Sequence, residues 1–223
     1  MCGRFSLSGD IDFYADYFGA AAAVDALTPS WNVAPTDQVY VVAERERRRV
    51  LETMKWGLVP HWAKNPKSIQ INARSETVAR APAFRDSFAR KRCLIPADGF
   101  YEWESPGRIP HWIHRADGFP VGFAGIWSTR KNDDGEWIRT CSILTKEGRG
   151  VVALLHDRMP IALHPDRWKE WLDREIRDLE VAQQLLQPID DDLWMEREVS
   201  PRVNSVRNND RQLLDPPEQG RLI

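Results

Sequence analysis

The chain is 223 residues long, with a formal net charge of −2, 42% hydrophobic residues and 29% charged residues. That length suits one domain, or two small ones, with a substantial core, and the composition is ordinary for a soluble globular protein. The first ten residues lack the basic and apolar regions of a leader, and no run approaches the roughly 18 apolar residues of a membrane span, so neither a leader nor a membrane-spanning helix is expected.

Three cysteines, Cys2, Cys93 and Cys141, without CxxC spacing, offer neither a zinc site nor a disulfide framework. A cytoplasmic location is expected, with no metal and no cofactor. Charge is uneven: Glu44 to Arg92 carries 13 Lys or Arg against 5 Asp or Glu, and Asp166 to Ile223 carries 9 against 14. A polyanion could dock on the first half without the whole chain being basic; a solvated face with balancing charges is the plainer alternative. Tryptophan is unusually frequent at 10 residues, as base-stacking platforms or as core filler.

Taken in order, the chain opens Met1-Cys2-Gly3-Arg4-Phe5. Met1 is expected to be removed, because Cys2 is small enough for methionine aminopeptidases. The new terminus would carry an α-amine titrating near ~7.7 to 8.0 beside a thiol near ~8.5. An amine and a thiol on adjacent carbons can trap an aldehyde, first as a Schiff base and then as a thiazolidine. A thiol with the amine as its base would instead suit acyl transfer. Arg4 stands close enough to hold an anion there.

Ile11 to Phe18 is predicted as a short amphipathic helix, capped by Asp10 and stopped by Gly19. Trp31 to Thr36 reads as a turn. Gln38 to Ala43 and Arg49 to Lys55 read as a hairpin around the tip Glu44 to Arg48. Trp56 to Lys64 mixes Trp56, His61, Trp62 and Lys64 with Gly and Pro. That pairing of cations with rings is what unstacked nucleic acid requires, although one of the two tryptophans is expected to anchor the loop in the core.

Ile69 to Glu76 reads as a strand end running into a turn, where Asn72 could orient a sugar or backbone group and Arg74 could bind phosphate. Phe84 to Arg92 is a short basic helix. Cys93 to Glu104 is an apolar run, an Asp98-Gly99 turn, then Glu102 between Tyr101 and Trp103. Alternation sets Glu102 and Glu104 on one face, opposite the rings, and does not choose between them. A buried one would have a raised pKa suited to proton transfer.

Pro110 to Arg115, Val121 to Trp127 and Trp137 to Leu144 are three further strands. Leu155 to Pro160 is a second purposeful loop, in which His156 could be a donor, a base or a phosphate ligand. Pro165 to Leu172 and Asp178 to Leu186 read as helices, and Trp194 to Val199 as a late strand. Ser200 to Asn208 is polar and basic; from Asp210 the charged, Pro-containing tail is expected to be loosely ordered. Strands at this spacing, with helices few and late, argue for a largely antiparallel sheet closing toward a barrel.

MCGRF, WNVAPT, MKWGLVPHWAK, INARSET, CLIPADGFYEW, HDRMPIAL and VSPRVNSVRN, in that order from residue 2 to about 208, resemble the SRAP (SOS response-associated peptidase) family of abasic-site processing proteins. The resemblance implies an α+β fold, a largely antiparallel β-barrel-like core with peripheral short helices, in a single SRAP domain over residues 2–208, with 209–223 as a C-terminal tail. It also implies a partner, single-stranded DNA containing abasic sites, whose ring-opened sugar presents an aldehyde. It implies that Cys2 is the nucleophile and forms a thiazolidine crosslink, that Asn72 orients the terminus and sugar, that Glu102 is the acid/base, and that His156 helps open the deoxyribose. Arg4, Arg74 and Arg158 would bind phosphates, and Trp62 would stack beside the lesion.

Lyase activity and autoproteolytic loss of Met1 are implied too, in a monomeric, cytoplasmic protein that associates with the nucleoid when acting on DNA. Two other readings stay open from the residues alone. One is an N-terminal-nucleophile amidohydrolase, since those also begin Met-Cys-Gly. The other is a noncatalytic single-stranded DNA binder using the same Trp and Arg residues.

Overall fold

The computed structural model describes residues 2–63, 69–132 and 134–217. The N-terminal segment forms a short strand, β1 (Phe5–Leu7), followed by helix α1 (Ile11–Phe18). That helix starts and stops where its caps dictate. The Asp10 carboxylate accepts the Phe13 N–H at 2.7 Å, and Gly19 adopts the left-handed conformation, φ 58°, which glycine takes without steric cost.

A two-residue strand, β2 (Ala21–Ala22), leads to β3 (Ser30–Val33). β3 corrects the expectation of a turn from Trp31: the reversal is confined to the following residues, where Asp37 accepts the Ala34 N–H at 2.9 Å. The hairpin of β4 (Gln38–Arg45) and β5 (Arg48–Trp56) is tighter than expected. Only Glu46 and Arg47 form its tip, both at positive φ (50° and 63°), as a two-residue turn matched to strand twist requires.

Next come β6 (Asn72–Arg74), helix α2 (Arg85–Arg90), β7 (Arg92–Ala97), β8 (Gly99–Glu104), β9 (Ile109–Arg115), β10 (Val121–Lys131) and β11 (Trp137–Glu147). The chain continues through β12 (Arg158–Pro160), helices α3 (Trp168–Leu172) and α4 (Leu179–Gln184), and β13 (Trp194–Glu198). These strands form two sheets. One runs β12-β11-β10-β7-β4-β5-β2 and closes on itself through parallel pairing of β11 with β5 (Thr140↔Lys55, Cys141↔Trp56), with β6 added alongside β11. The second is antiparallel, in the order β13-β9-β8-β1-β3. The architecture is therefore α+β, a closed barrel-like core with short helices around it.

The Asp98-Gly99 turn does not join neighbouring strands of one sheet. β7 belongs to the barrel and β8 to the second sheet, so the pair is a corner where the chain changes sheets. Asp98 accepts hydrogen bonds from Tyr14 Oη (2.5 Å), Ser8 N (2.7 Å) and Ser8 Oγ (2.9 Å), which tie the corner to α1 and β1. A Cβ at residue 99 would lie 2.6 Å from the Ile113 carbonyl oxygen, so only glycine fits.

The core lies between the sheets. Phe5 of β1 packs edge-on against Trp56 (5.0 Å between centroids) and Phe123 (6.3 Å), and Phe100 of β8 packs on Phe123 and on Trp194. Cys93 and Cys141 are buried in it, as expected of core thiols. The outer face of the second sheet has its own cluster of Tyr101, Val199, Val203 and Leu213. Burial of Leu213 corrects the expectation of a loose tail from Asp210: the segment as far as Asp215 is docked by apolar contact and by the Ser200 N–H to the Asp215 carbonyl (3.0 Å). Residues 218–223 lie outside the described residues.

Asn32 fastens this C-terminal segment. It is 3% exposed, its Nδ2 donates to the carbonyls of Val203 (3.3 Å), Ser205 (3.0 Å) and Asn208 (2.8 Å), and its Oδ1 accepts from Arg4 Nη1 (2.7 Å). Removing the amide would strand several buried polar groups at once, so Asn32→Ala is expected to cost about 2–4 kcal/mol of unfolding free energy in urea. It should also raise amide exchange across residues 199–215. A loss within about 0.5 kcal/mol would show that apolar burial alone holds the segment.

Candidate functional site

Strand β8 runs beside the N-terminal segment, with Phe100 opposite Phe5 and the Tyr101 N–H on the Arg4 carbonyl at 3.0 Å. Continuing that register sets Glu102 beside Gly3 and Cys2. Glu102 is two residues on from Phe100 and shares its inward face, whereas Tyr101 and Trp103 point outward into the second cluster. Burial separates the two carboxylates that alternation left equivalent: Glu102 is 3% exposed, while the side chain of Glu104 is 51% exposed. Burial pushes the Glu102 carboxyl up to about 7, with the nearby Asp157 charge acting in the same direction.

Cys2 is fully buried, and its thiol donates weakly to the Arg4 carbonyl at 3.8 Å. Desolvation, reinforced by the Glu102 charge, raises its pKa and keeps the thiol protonated. Asn72 reaches it from the other sheet. β6 lies parallel to β11, with Asn72 opposite Ile143, and Asn72 Nδ2 donates to the Cys2 carbonyl at 2.8 Å. The other half of that amide, Oδ1, is buried and makes no hydrogen bond among the described residues, which leaves an acceptor aimed into the site.

His156 follows a 3-10 turn over Gly150–Leu154, and its N–H donates to the Val152 carbonyl at 2.9 Å. Its Nδ1 faces two groups with opposite demands: the Arg158 peptide N–H at 2.9 Å needs a lone pair there, and Asp157 Oδ1 at 2.7 Å favours a proton. The peptide N–H can only donate, whereas the exposed Asp157 carboxylate can turn to solvent, so we assign the neutral ring with its proton on Nε2. Burial lowers the His156 pKa, in keeping with that state. Gly148 sets the backbone of this loop. Its N–H donates to the Asp157 carbonyl at 2.7 Å, and a Cβ there would come within 2.4 Å of the His156 carbonyl oxygen.

The fold thus gathers Cys2, Asn72, Glu102 and the His156 loop at the junction of the two sheets. The cationic and aromatic candidates divide. Arg74 is exposed, and its side chain makes no hydrogen bond or ion pair among the described residues. Arg158 is held by protein: its guanidinium forks onto Glu76 (2.7 and 3.0 Å) and also donates to the Thr145 carbonyl (2.8 Å) and hydroxyl (3.2 Å). Arg4 uses Nη1 on Asn32 and on the Val203 carbonyl (3.1 Å), so part of its guanidinium braces the C-terminal segment.

Of the two loop tryptophans, Trp56 is the core anchor, with Nε1 on the Ile71 carbonyl at 3.0 Å, and Trp62 is 56% exposed. Lys64 lies outside the described residues. Among the described residues no group of three or more His, Cys, Asp and Glu is placed to hold a metal. Sequence reasoning passed over Asn32, Glu76 and Gly148 as site-forming residues. Asn32 sat in an apparent turn, Glu76 and Gly148 bear no pattern that separates them from surface polar and loop residues, and only packing reveals them.

The family model for the SOS response associated peptidases (SRAP) matches residues 1–206 of the chain. The abasic site processing protein YoaM of Bacillus subtilis is 38% identical over 222 residues, covering 96% of this chain and 98% of the relative. The abasic site processing protein YedK of Escherichia coli is 32% identical over 228 residues, covering 97% and 100%. Among solved structures, a Bacteroides thetaiotaomicron protein superposes with a TM-score of 0.86 at 23% identity over 96% of this chain and 99% of its own, which speaks for the fold. The order of strands around the closed barrel, the junction at Cys2 and these likenesses lead to one conclusion: the chain belongs to the SRAP family.

Proposed function

We propose that the protein processes abasic sites in single-stranded DNA by trapping the ring-opened sugar on its own N-terminus. The relatives named for abasic-site processing support the substrate. The single observation that carries the mechanism is the position of residue 2, buried at the sheet junction with its carbonyl on Asn72 and Glu102 alongside. Loss of Met1 turns that residue into a free amine and thiol.

The amine leads. A buried thiol held protonated is a poor first nucleophile, which also weighs against thiol-led acyl transfer. The amine nitrogen adds to the C1′ aldehyde to give a carbinolamine; Glu102, protonated, donates to the departing hydroxyl, and water leaves with formation of the iminium, which keeps the proton on nitrogen. The Cys2 sulfur then adds to the iminium carbon. Its proton passes to the Glu102 carboxylate and restores the acid, and the five-membered thiazolidine closes with no net oxidation or reduction. A carboxyl titrating at about 7 can serve in both directions at neutral pH.

Asn72 holds the terminus by its amide N–H and offers its bare Oδ1 to the new amine or to a sugar hydroxyl. His156, with its proton on Nε2, is a donor for the ring oxygen as the deoxyribose opens. Trp62 and Arg74 supply a ring and a free cation for the flanking strand. Lyase chemistry would follow from the same imine, and self-removal of Met1 from the same carboxyl.

Intact-mass measurement after mixing with an abasic oligonucleotide should report loss of Met1 and a covalent adduct together, and Cys2→Ala should leave no adduct that survives denaturation. An undiminished adduct in Cys2→Ala would reject the mechanism. Glu102→Gln is expected to slow adduct formation by about 10²-fold or more and to abolish its pH dependence around neutrality.

Glu102 also predicts a stability profile. Its folded pKa, about 7, lies above the ordinary 4.5, so between those values the folded protein keeps a proton that the unfolded chain has released. Stability therefore falls as pH rises through that window, and urea midpoints of Glu102→Gln should show a shallower fall; parallel profiles would rule the shift out. Gly148→Ala should displace His156 through the backbone. Adduct formation is expected to slow about as much as in His156→Ala, with DNA affinity unchanged; a wild-type rate would free residue 148 of that role.

A further inference from the structure

The Arg158 guanidinium, with a side chain only 12% exposed, has both terminal nitrogens engaged by protein in a geometry that resembles anion recognition, while its buried Nε makes no hydrogen bond among the described residues. Both terminal nitrogens meet the two oxygens of Glu76, the arrangement a guanidinium also makes with a phosphodiester. Glu76 itself is an unusual occupant for that position. Its side chain is 51% exposed, it is two residues from the free cation Arg74, and it places a negative charge beside two arginines assigned above to the DNA strand.

Arg158 pulls the Glu76 carboxyl below the usual range, so that charge persists at any physiological pH. Glu76 also has a second cation within reach. Arg80 lies four residues on in a helical turn, with Nη2 already donating to the Glu76 carbonyl at 3.4 Å. Both residues line one cleft of about 690 Å³ with Ala79, Leu179, Glu180 and Gln183, open space into which the carboxylate can swing.

We propose that Glu76 is an internal surrogate for a backbone phosphate: it keeps the Arg158 fork filled in the free protein, yields it to the docking strand, and moves to Arg80. This deepens the DNA reading given above and rests on it. The consequence is selectivity. Any strand must displace a bound carboxylate before it gains Arg158, which weakens casual binding of intact DNA, while a lesion trapped at Cys2 holds its strand in place long enough for the exchange.

The test measures equilibrium binding of an intact single-stranded oligonucleotide with no abasic site, at several salt concentrations, so no covalent step contributes. Glu76→Gln, which keeps the shape but removes the competing charge, is expected to bind about fivefold more tightly. Its plot of log affinity against log salt should keep the slope of the unaltered protein, because Arg158 meets one phosphate in both bound states. Equal or weaker binding would make Glu76 a brace for Arg158 and overturn the proposal. Thermal midpoints of both proteins check that the variant is folded.

Arg80→Gln provides the second arm. It should weaken binding in the unaltered background and have no effect when combined with Glu76→Gln; an equal loss in both backgrounds overturns the exchange, because Arg80 would then be contacting DNA directly. If the unaltered protein shows no salt-sensitive affinity for single strands at all, the DNA reading itself falls. If it binds and Glu76→Gln does not tighten, only the surrogate falls.

Discussion

A hydrogen bond joins the two sheets of this molecule at the residue on which the proposed chemistry centres. Asn72, carried by the barrel, donates to the carbonyl of Cys2, carried by the second sheet. Everything around it serves to keep those two partners in register. The Asp98 corner delivers β8 from one sheet to the other, Gly99 allows the backbones at that corner to approach, and Phe5 locks β1 onto Trp56 and Phe123. A terminus is ordinarily the most mobile part of a chain. Here Cys2 lies in a closely packed interface, which for the proposed capture of a sugar removes the entropy that a mobile end would lose.

Burial at that interface also sets the electrostatics. Desolvation raises the Cys2 thiol, raises the Glu102 carboxyl to about 7 and lowers the His156 imidazole, so each is driven toward its neutral form. A site of neutral donors and acceptors suits the proposed imine chemistry, in which protons move repeatedly and water must leave. The charges of Arg74 and of the Arg158–Glu76 pair stand further out, where the proposed DNA strand would meet them without burdening the buried groups.

The C-terminal segment is the third support. Asn32 ties the carbonyls of Val203, Ser205 and Asn208 to Arg4, so the region just after Cys2 is braced by chain nearly two hundred residues away. The same segment buries Tyr101 and partly buries Trp103 on the outer face of β8. Their burial keeps Glu102 turned toward the core, because in a strand the orientation of one residue fixes that of its neighbours.

Local patterns were legible in the sequence wherever the physics is local. Asp10 and Gly19 bound α1 because caps act within one turn, and the β4–β5 hairpin and the strands β9 to β11 follow from alternation and turn residues. The ordered motifs pointed to Cys2, Asn72, Glu102 and His156 as a set, though spacing alone left Glu102 and Glu104 equivalent. What the sequence did not reveal depends on contacts between distant segments. The change of sheet at Asp98, strand β3 in place of a turn, the docking of Leu213 and the roles of Asn32, Glu76 and Gly148 all arise from partners far along the chain. Alternation can say which side chains share a face; only tertiary packing decides which face is dry, and dryness is what turns an ordinary glutamate into a group titrating near neutrality.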